Sequence, residues 1–221
     1  MAEEVYFDPR FQLPFTALLV GASGSGKSFF VKQLLQNMEH TLSRLPDRII
    51  WSYSSYQPMY DELAKNVKIK FIEGIPDSLT DENIFPSNQH NLLVIDDCMD
   101  IGVNHDELMK AFTMYRHHRK LSVIFLVQNL FQQGKHSRTI SLNANYIILF
   151  KSVRDRLQIR ILAQQMFPGQ REYFLQSFND ATKEPYSYLI VDLRPHCPEH
   201  YRLRSGILPN QWPVVYQYKK K

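Results

Sequence analysis

Glycine is scarce in this chain, at 8 of 221 residues, roughly half the usual share of about 7%. That suits rigid sheet and helix, and it gives weight to the clustering of Gly21, Gly24 and Gly26 within six positions. Cysteine is rarer still. Cys98 and Cys197 cannot build a multi-bridge framework, and no hydrophobic N-terminal stretch reads as a secretory signal, so a reducing intracellular compartment is expected. Long apolar runs are also missing: the stretch 123–127 falls far short of the roughly 20 residues that cross a bilayer, so no membrane association is expected. Nor is there a repeat, a low-complexity segment or a proline-rich linker. The basic surplus is small. Lys and Arg number 26 against 22 Asp and Glu, a net charge of +4, and three of those basic residues are the closing Lys219, Lys220 and Lys221. A nucleic-acid partner must therefore be argued from local clusters, not from the overall balance.

What is present is ordinary globular composition, 44% hydrophobic and 22% charged, too apolar for a disordered chain. The length suits one sizeable core, and we read a single domain over 1–218 with a basic tail at 219–221. Strands are predicted at 15–20, 48–53, 67–72, 91–96, 122–128, 146–151 and 188–192, several of them nearly continuous apolar runs of the kind covered on both faces in a parallel sheet. Helices are predicted at 27–40, 106–118, 153–167 and 170–178. This alternation implies a three-layer α/β sandwich with a mainly parallel central sheet. The last 25 or so residues, rich in proline and aromatics, are expected to wrap the domain edge as irregular strands.

Gly21-Ala22-Ser23-Gly24-Ser25-Gly26-Lys27-Ser28 matches GxxxxGK[ST] between a predicted strand and a predicted helix, the setting of a phosphate-binding loop. Glycines let the backbone wrap a phosphate with its N–H groups, and the following helix offers its positive end. In this reading Lys27 reaches the β and γ phosphates of ATP, Ser28 places a hydroxyl on Mg²⁺, and Phe29 completes the nucleotide-binding stretch.

The strand Leu92-Leu93-Val94-Ile95 delivers Asp96 and Asp97 at its C-terminal edge, where open α/β sheets bind ligands. Asp96 is the candidate Mg²⁺ ligand. Asp97 is either the general base that polarises an attacking water or the cap of the following loop. A further apolar strand ends in Gln128-Asn129, and the Gln128 amide both donates and accepts, which suits a γ-phosphate sensor. The order phosphate loop, paired acids, strand ending in glutamine predicts an additional strand between the two nucleotide-binding strands, as in oligomeric motor ATPases. A guanine-reading Asn-Lys-x-Asp segment and a Leu-Ser-Gly-Gly-Gln transporter signature are both absent.

GASGSGKS, LLVIDD, HHRKLSVIFLVQNLF, SRTISLNANYIILFKSVRDRLQIRILAQQMFP and PYSYLIVDLRP together resemble the FtsK-HerA type genome-packaging ATPases of double-stranded DNA viruses. They are most similar to those of the Maverick/Polinton and adintovirus group, which are related to the poxvirus packaging ATPase. The resemblance runs from about Phe11 to Tyr218. It implies a P-loop NTPase core of the RecA-like, FtsK-HerA variety. It also implies a homo-oligomeric ring, pentameric or hexameric, that threads double-stranded DNA into a preformed capsid at the expense of ATP. The expected setting is inside an infected host cell, with a capsid or portal protein as partner. Carried over by motif, Lys27 and Ser28 bind phosphate and Mg²⁺, Asp96 and Asp97 form the acidic pair, and Gln128 is the sensor. The Asp-Asp pair departs from the Asp-Glu of many motors.

Ring motors commonly complete each site with a neighbour's arginine; Arg119, just before the sensor strand, is the candidate at a subunit edge and Arg138, just after it, is the candidate acting in cis, each with a solvated surface charge as the alternative. Basic residues gather at Lys110, Arg116, Arg119 and Lys120, and again at Lys151, Arg154, Arg156 and Arg160. Either cluster suits a sequence-independent grip on phosphate backbone, or an ordinary solvated helix face. His196-Cys197-Pro198-Glu199-His200 carries ligand-type side chains, but its proline and the lack of a second cluster argue against zinc. Two rival readings share the phosphate loop: a cellular or plasmid FtsK/HerA-like DNA pump, and a phosphotransferase acting on a small molecule.

Overall fold

A computed structural model describes residues 7–98, 103–115, 118–131, 133–152 and 156–218. Arg116, His117 and Arg154, the start of the predicted helix 153–167 and the tail 219–221 lie outside the described residues. The architecture is built on β1 (Thr16–Val20), whose five residues are all buried. Its side chains alternate between two hydrophobic cores, Leu18 and Val20 on one face of the sheet and Ala17 and Leu19 on the other. A strand with apolar groups on both faces is stable only when helices cover both sides.

The remaining strands are β2 (Arg48–Tyr53), β3 (Lys70–Glu73), β4 (Asn91–Asp96), β5 (Leu121–Val127), β6 (Tyr146–Phe150), β7 (Tyr188–Asp192), β8 (Leu203–Ser205) and β9 (Val214–Tyr216). They form one sheet in the order β3-β2-β4-β5-β1-β6-β7-β8-β9. Pairing is parallel from β3 to β6 and antiparallel from β6 to β9. The predicted extra strand is therefore present: β5 lies between β4, which ends in Asp96, and β1, which leads into the glycine cluster. The aromatic C-terminal segment contributes β8 and β9 to the sheet edge.

One face is covered by α1 (Lys27–Gln36), which buries Phe30, Val31, Leu34 and Leu35, and by α3 (Met59–Asn66), which buries Tyr60 and Leu63. The short α2 (Met38–Thr41) follows α1. The other face is covered by α4 (Asp106–Lys110) with the π-helical turn Ala111–Tyr115, and by α5 (Ser137–Leu142), α6 (Arg156–Met166) and α7 (Arg171–Ala181). Among the described residues no helix is long and apolar enough to cross a membrane.

Several boundaries differ from the sequence reading for identifiable reasons. The predicted helix 27–40 is interrupted at Asn37, whose side-chain amide donates to the Gln33 carbonyl at 2.8 Å and so satisfies an end group of α1. Val67, expected to open a strand, is instead the buried C-cap of α3, and β3 begins at Lys70. The α-helix predicted over 106–118 gives way to the π turn after Lys110.

At the end of β7, Asp192 is fully buried between Arg194 at 2.7 Å and Arg204 at 2.9 Å. Arg204 also donates to the Pro9 carbonyl and lies over the rings of Phe7 and Tyr146. Burial alone would raise the Asp192 carboxyl, but the Arg194 hydrogen bond and the Arg204 charge outweigh it and hold the group below its ordinary value. A depressed carboxylate stabilises the fold above its unfolded-state value, near pH 4, and that contribution fades as pH falls through the folded-state value. Asp192→Asn is accordingly expected to lower stability at pH 7 by about 3–5 kcal/mol, the range seen when one partner of a buried ion pair is removed. Urea denaturation should show the deficit narrowing below about pH 4.

Candidate nucleotide-binding site

The parallel register brings the C-terminal ends of β4, β5 and β1 to one edge. Val20 pairs with Val127 and Ile95 with Phe125, and the Gly21 N–H donates to the Val127 carbonyl at 3.2 Å, one step beyond the β1 ladder. Gly21 starts the loop, Gln128 follows β5 and Asp96 ends β4, and at this edge Asp96 and Gln128 open onto a cavity of about 370 Å³ lined also by Gly24, Gly26, Lys27, Ser28 and Phe29. That volume lies within the range of small-molecule sites.

The loop's geometry requires glycine where the sequence supplies it. At Gly21 a Cβ would stand 2.6 Å from Ser25 Oγ and 2.7 Å from Phe150 Cβ, because the loop folds back over its own start. Gly26 takes φ +102° immediately before α1, a conformation L side chains rarely adopt. No side chain caps α1 and no acidic residue sits in its first turn. Its positive end therefore faces the cavity with no acidic side chain of its own first turn to compensate it, which suits a phosphate.

Lys27 Nζ donates to the carbonyls of Gly21 at 2.5 Å and Ala22 at 3.0 Å. Burial lowers its ammonium below the ordinary value, against the opposing pull of Asp96 and Asp97. Asp96 is 4% exposed, and burial raises its carboxyl. The Ser28 hydrogen bond opposes the rise, the Asp97 charge adds to it, and Lys27 and the Tyr60 hydroxyl oppose it again. Asp97 is exposed and adopts φ +56°, an uncommon backbone state that Asp tolerates better than most residues. Its Oδ2 accepts from Ser54 Oγ at 3.4 Å. Residues 99–102, part of the loop expected to be capped by Asp97, lie outside the described residues.

These residues fit the groups the motif implies. The uncapped helix start, the folded-back loop and Lys27 suit a triphosphate. Ser28 and Asp96, which line the same cavity, offer two hard oxygen donors, and Mg²⁺ is typically held by one or two such side chains together with substrate phosphates. Among the described residues no cluster of three or more His, Cys, Asp or Glu side chains forms an all-protein metal cage.

Tyr60 is the residue that sequence reasoning missed. From α3 its hydroxyl donates to Asp96 Oδ2 at 3.4 Å, and burial, then the Asp96 charge, raise its phenol and keep it a donor. Its ring stacks on Phe71 at 5.0 Å and packs against Trp51 at 5.5 Å. The signal was there: Tyr60, Leu63 and Val67 recur at helical spacing behind Pro58, with Asp61 and Glu62 in the first turn. Lys32 on α1 ties to Glu62 on α3 at 2.5 Å, so the two helices that frame the site are held together.

Other sequence candidates are not brought here. Arg119 precedes β5 and sits at the end of that strand opposite Gln128. Its guanidinium donates to Thr80 O at 2.9 Å, Glu82 Oε1 at 2.6 Å and Phe85 O at 3.4 Å within its own subunit. Arg138 is exposed on α5, at the rim of a separate, larger cavity beside Leu130 and Phe131. Of the basic clusters, Lys110 pairs with Glu107 at 2.7 Å, whereas Lys151, Arg156 and Arg160, joined by Lys183, line a groove of about 430 Å³.

Two outcomes are expected. Because burial raises Asp96, its ionised form at neutral pH costs the folded state stability, a cost that grows as pH rises through the folded-state value. Asp96→Asn should therefore raise the thermal midpoint at pH 7, with the gain shrinking toward pH 4, while nucleotide turnover is lost. Tyr60→Phe keeps the ring stacks and removes only the hydroxyl. Hydrogen bonds to charged groups contribute about 1.5–3 kcal/mol, so turnover is expected to fall roughly ten- to a hundredfold with the thermal midpoint moving by only a few degrees.

No protein-family model and no curated protein sequence matches the chain. Solved structures do. The chain is similar to the genome packaging NTPase B204 of Sulfolobus turreted icosahedral virus 2 in complex with ATP-gammaS. That match has a TM-score of 0.54 and 16% identity over 96% of this chain and 98% of that one. Against the same protein in complex with AMPPCP the TM-score is 0.53 at 15% identity, over 96% and 98% of the two chains. Against B204, the DNA-packaging ATPase of Sulfolobus turreted icosahedral virus, it is 0.56 at 12% identity, over 94% and 99%. Matches at these identities speak to architecture, and they cover essentially the whole of both chains: this protein has the α/β fold of the P-loop NTPases.

Proposed function

We propose that the protein is an ATP-hydrolysing motor that moves double-stranded DNA and packages a viral genome into a preformed capsid. The observation that carries the reading is the convergence of Lys27, Ser28, Asp96, Asp97 and Gln128 on one cavity at one sheet edge. Support comes from the whole-chain likeness to proteins described as a genome packaging NTPase and a DNA-packaging ATPase, and from the motifs that resemble the Maverick/Polinton and adintovirus group.

In this reading the loop N–H groups and Lys27 hold the β and γ phosphates, and Ser28 and Asp96 hold Mg²⁺. When bound, the ion neutralises charge on the phosphate oxygens. Asp97 accepts the proton of the attacking water, and Gln128 hydrogen bonds to that water or to the γ-phosphate. The working form is a pentameric or hexameric ring inside the infected cell, with a capsid or portal protein as its dock. Arg138, exposed just beyond the sensor strand, is better placed than Arg119 to reach a neighbouring site, since Arg119 is engaged within its own subunit. Lys151, Arg156, Arg160 and Lys183 are the cations we assign to the DNA backbone, a contact that needs charge and no base reading.

Steady-state hydrolysis of ATP with and without duplex DNA tests the proposal. Duplex DNA is expected to stimulate turnover several-fold, more weakly as salt rises, and Lys27→Ala is expected to lower turnover by at least a hundredfold. Hydrolysis indifferent to DNA but accelerated by a small-molecule acceptor would instead mark a phosphotransferase.

A further inference from the structure

Two large aromatic side chains stand exposed beside the phosphate loop, where neither contributes to a core. Phe29, in the first turn of α1, is 55% exposed and lines the nucleotide cavity. Tyr186 is 65% exposed. It precedes β7, and because β7 runs antiparallel to β6, the approach to β7 lies at the same sheet edge as the phosphate loop.

The placement of Tyr186 is built, not incidental. Its backbone takes φ +62°, a conformation unfavourable for a bulky residue. Its side chain lies directly on the loop: a Cβ at Gly26 would stand 3.0 Å from Tyr186 Cδ1 and 3.1 Å from Tyr186 Cβ. Two residues on, Tyr188 is buried and packs on Phe30 of α1 at 4.6 Å and on Phe150 at 6.0 Å, with its hydroxyl donating to Gln211 at 2.5 Å. A rigid mount thus holds an exposed ring in a strained conformation against the residue that precedes Lys27. Strain of this kind persists where the surrounding structure enforces it, and it gathers at ligand clamps.

A nucleotide whose phosphates occupy the loop carries its ribose and base several ångströms beyond them, and two large exposed aromatics flank that loop: Phe29 at the cavity and Tyr186 outside it, against Gly26. We infer that Tyr186, with Phe29, forms the base subsite of this site, holding the purine of a nucleoside triphosphate by stacking. The inference rests on the phosphate-loop reading above. Ring faces carry no donor–acceptor code, so the subsite gains affinity from the base while distinguishing adenine from guanine only weakly.

Calorimetric titration of the full chain with ATP, GTP and inorganic tripolyphosphate separates the base from the phosphates. Tyr186→Asn removes the ring while accepting the positive φ, and Tyr186→Phe keeps it. For Tyr186→Asn, ATP and GTP are expected to bind about five- to a hundredfold more weakly, the range for loss of one stacked base. Tripolyphosphate binding should be unchanged, which also reports an intact fold. Tyr186→Phe should match the wild type, Phe29→Ala should weaken ATP but not tripolyphosphate, and wild-type affinities for ATP and GTP should agree within about tenfold. Equal weakening of ATP and tripolyphosphate by Tyr186→Asn would reduce Tyr186 to a prop for Gly26 and overturn the inference, as would ATP affinity untouched by both Tyr186→Asn and Phe29→Ala. A wild-type chain that binds neither ATP nor tripolyphosphate would overturn the phosphate-loop reading itself.

Discussion

The hydrogen bond from the Gly21 N–H to the Val127 carbonyl is the joint on which the site depends. β1 is paired in parallel on both sides, to β5 and to β6, so its end has no freedom to shift without breaking two buried ladders. Carrying the ladder one residue into the loop fixes where the phosphate cradle begins relative to the strand that delivers Gln128. β4, paired on the far side of β5, then has only one place to present Asp96. Three chemical elements distant in sequence acquire a common edge through backbone pairing alone, before any of their side chains meet.

Those side chains meet on unfavourable electrostatic terms. Burial drives Asp96 upward and Lys27 downward, each toward its neutral form, and Asp97 sits alongside in a backbone conformation that costs energy. The stability that tolerates this comes from elsewhere. Two hydrophobic cores sandwich the sheet, and the Asp192 pairing with Arg194 and Arg204 closes the antiparallel half at a distance from the chemistry. Separating the strained region from the stabilising one is a common arrangement in enzymes, since a site optimised for stability has no reason to hold like charges close together.

How much of this the sequence carried depends on how local each signal is. β2, β4 and β7 match their predicted boundaries because unbroken apolar runs flanked by polar turns leave little choice of limits. The shared placement of the glycine cluster, the acidic pair and Gln128 at strand ends was legible because each follows such a strand directly. α3 was overlooked because its stripe is short, and with it went Tyr60, whose contact with Asp96 spans two elements and leaves no mark in either one alone. Arg119 illustrates the opposite problem. Its position before the sensor strand suggested an exposed edge, but the segment containing Thr80, Glu82 and Phe85 folds over it, and nothing in the spacing of those residues announces that contact.

The two hydrogen bonds that Lys27 makes to the carbonyls of Gly21 and Ala22 bear on the reversibility of binding. A half-buried ammonium with no acceptor would seize any anion and hold it. Here an arriving phosphate oxygen must displace carbonyl oxygens that already satisfy the charge, so association is an exchange of partners and not a simple gain. The same carbonyls stand ready to take the lysine back when the anion leaves. A cradle that supplies its own substitute for the ligand limits how tightly it can grip, and in the motor proposed above, whose site empties on every cycle, that limit favours turnover.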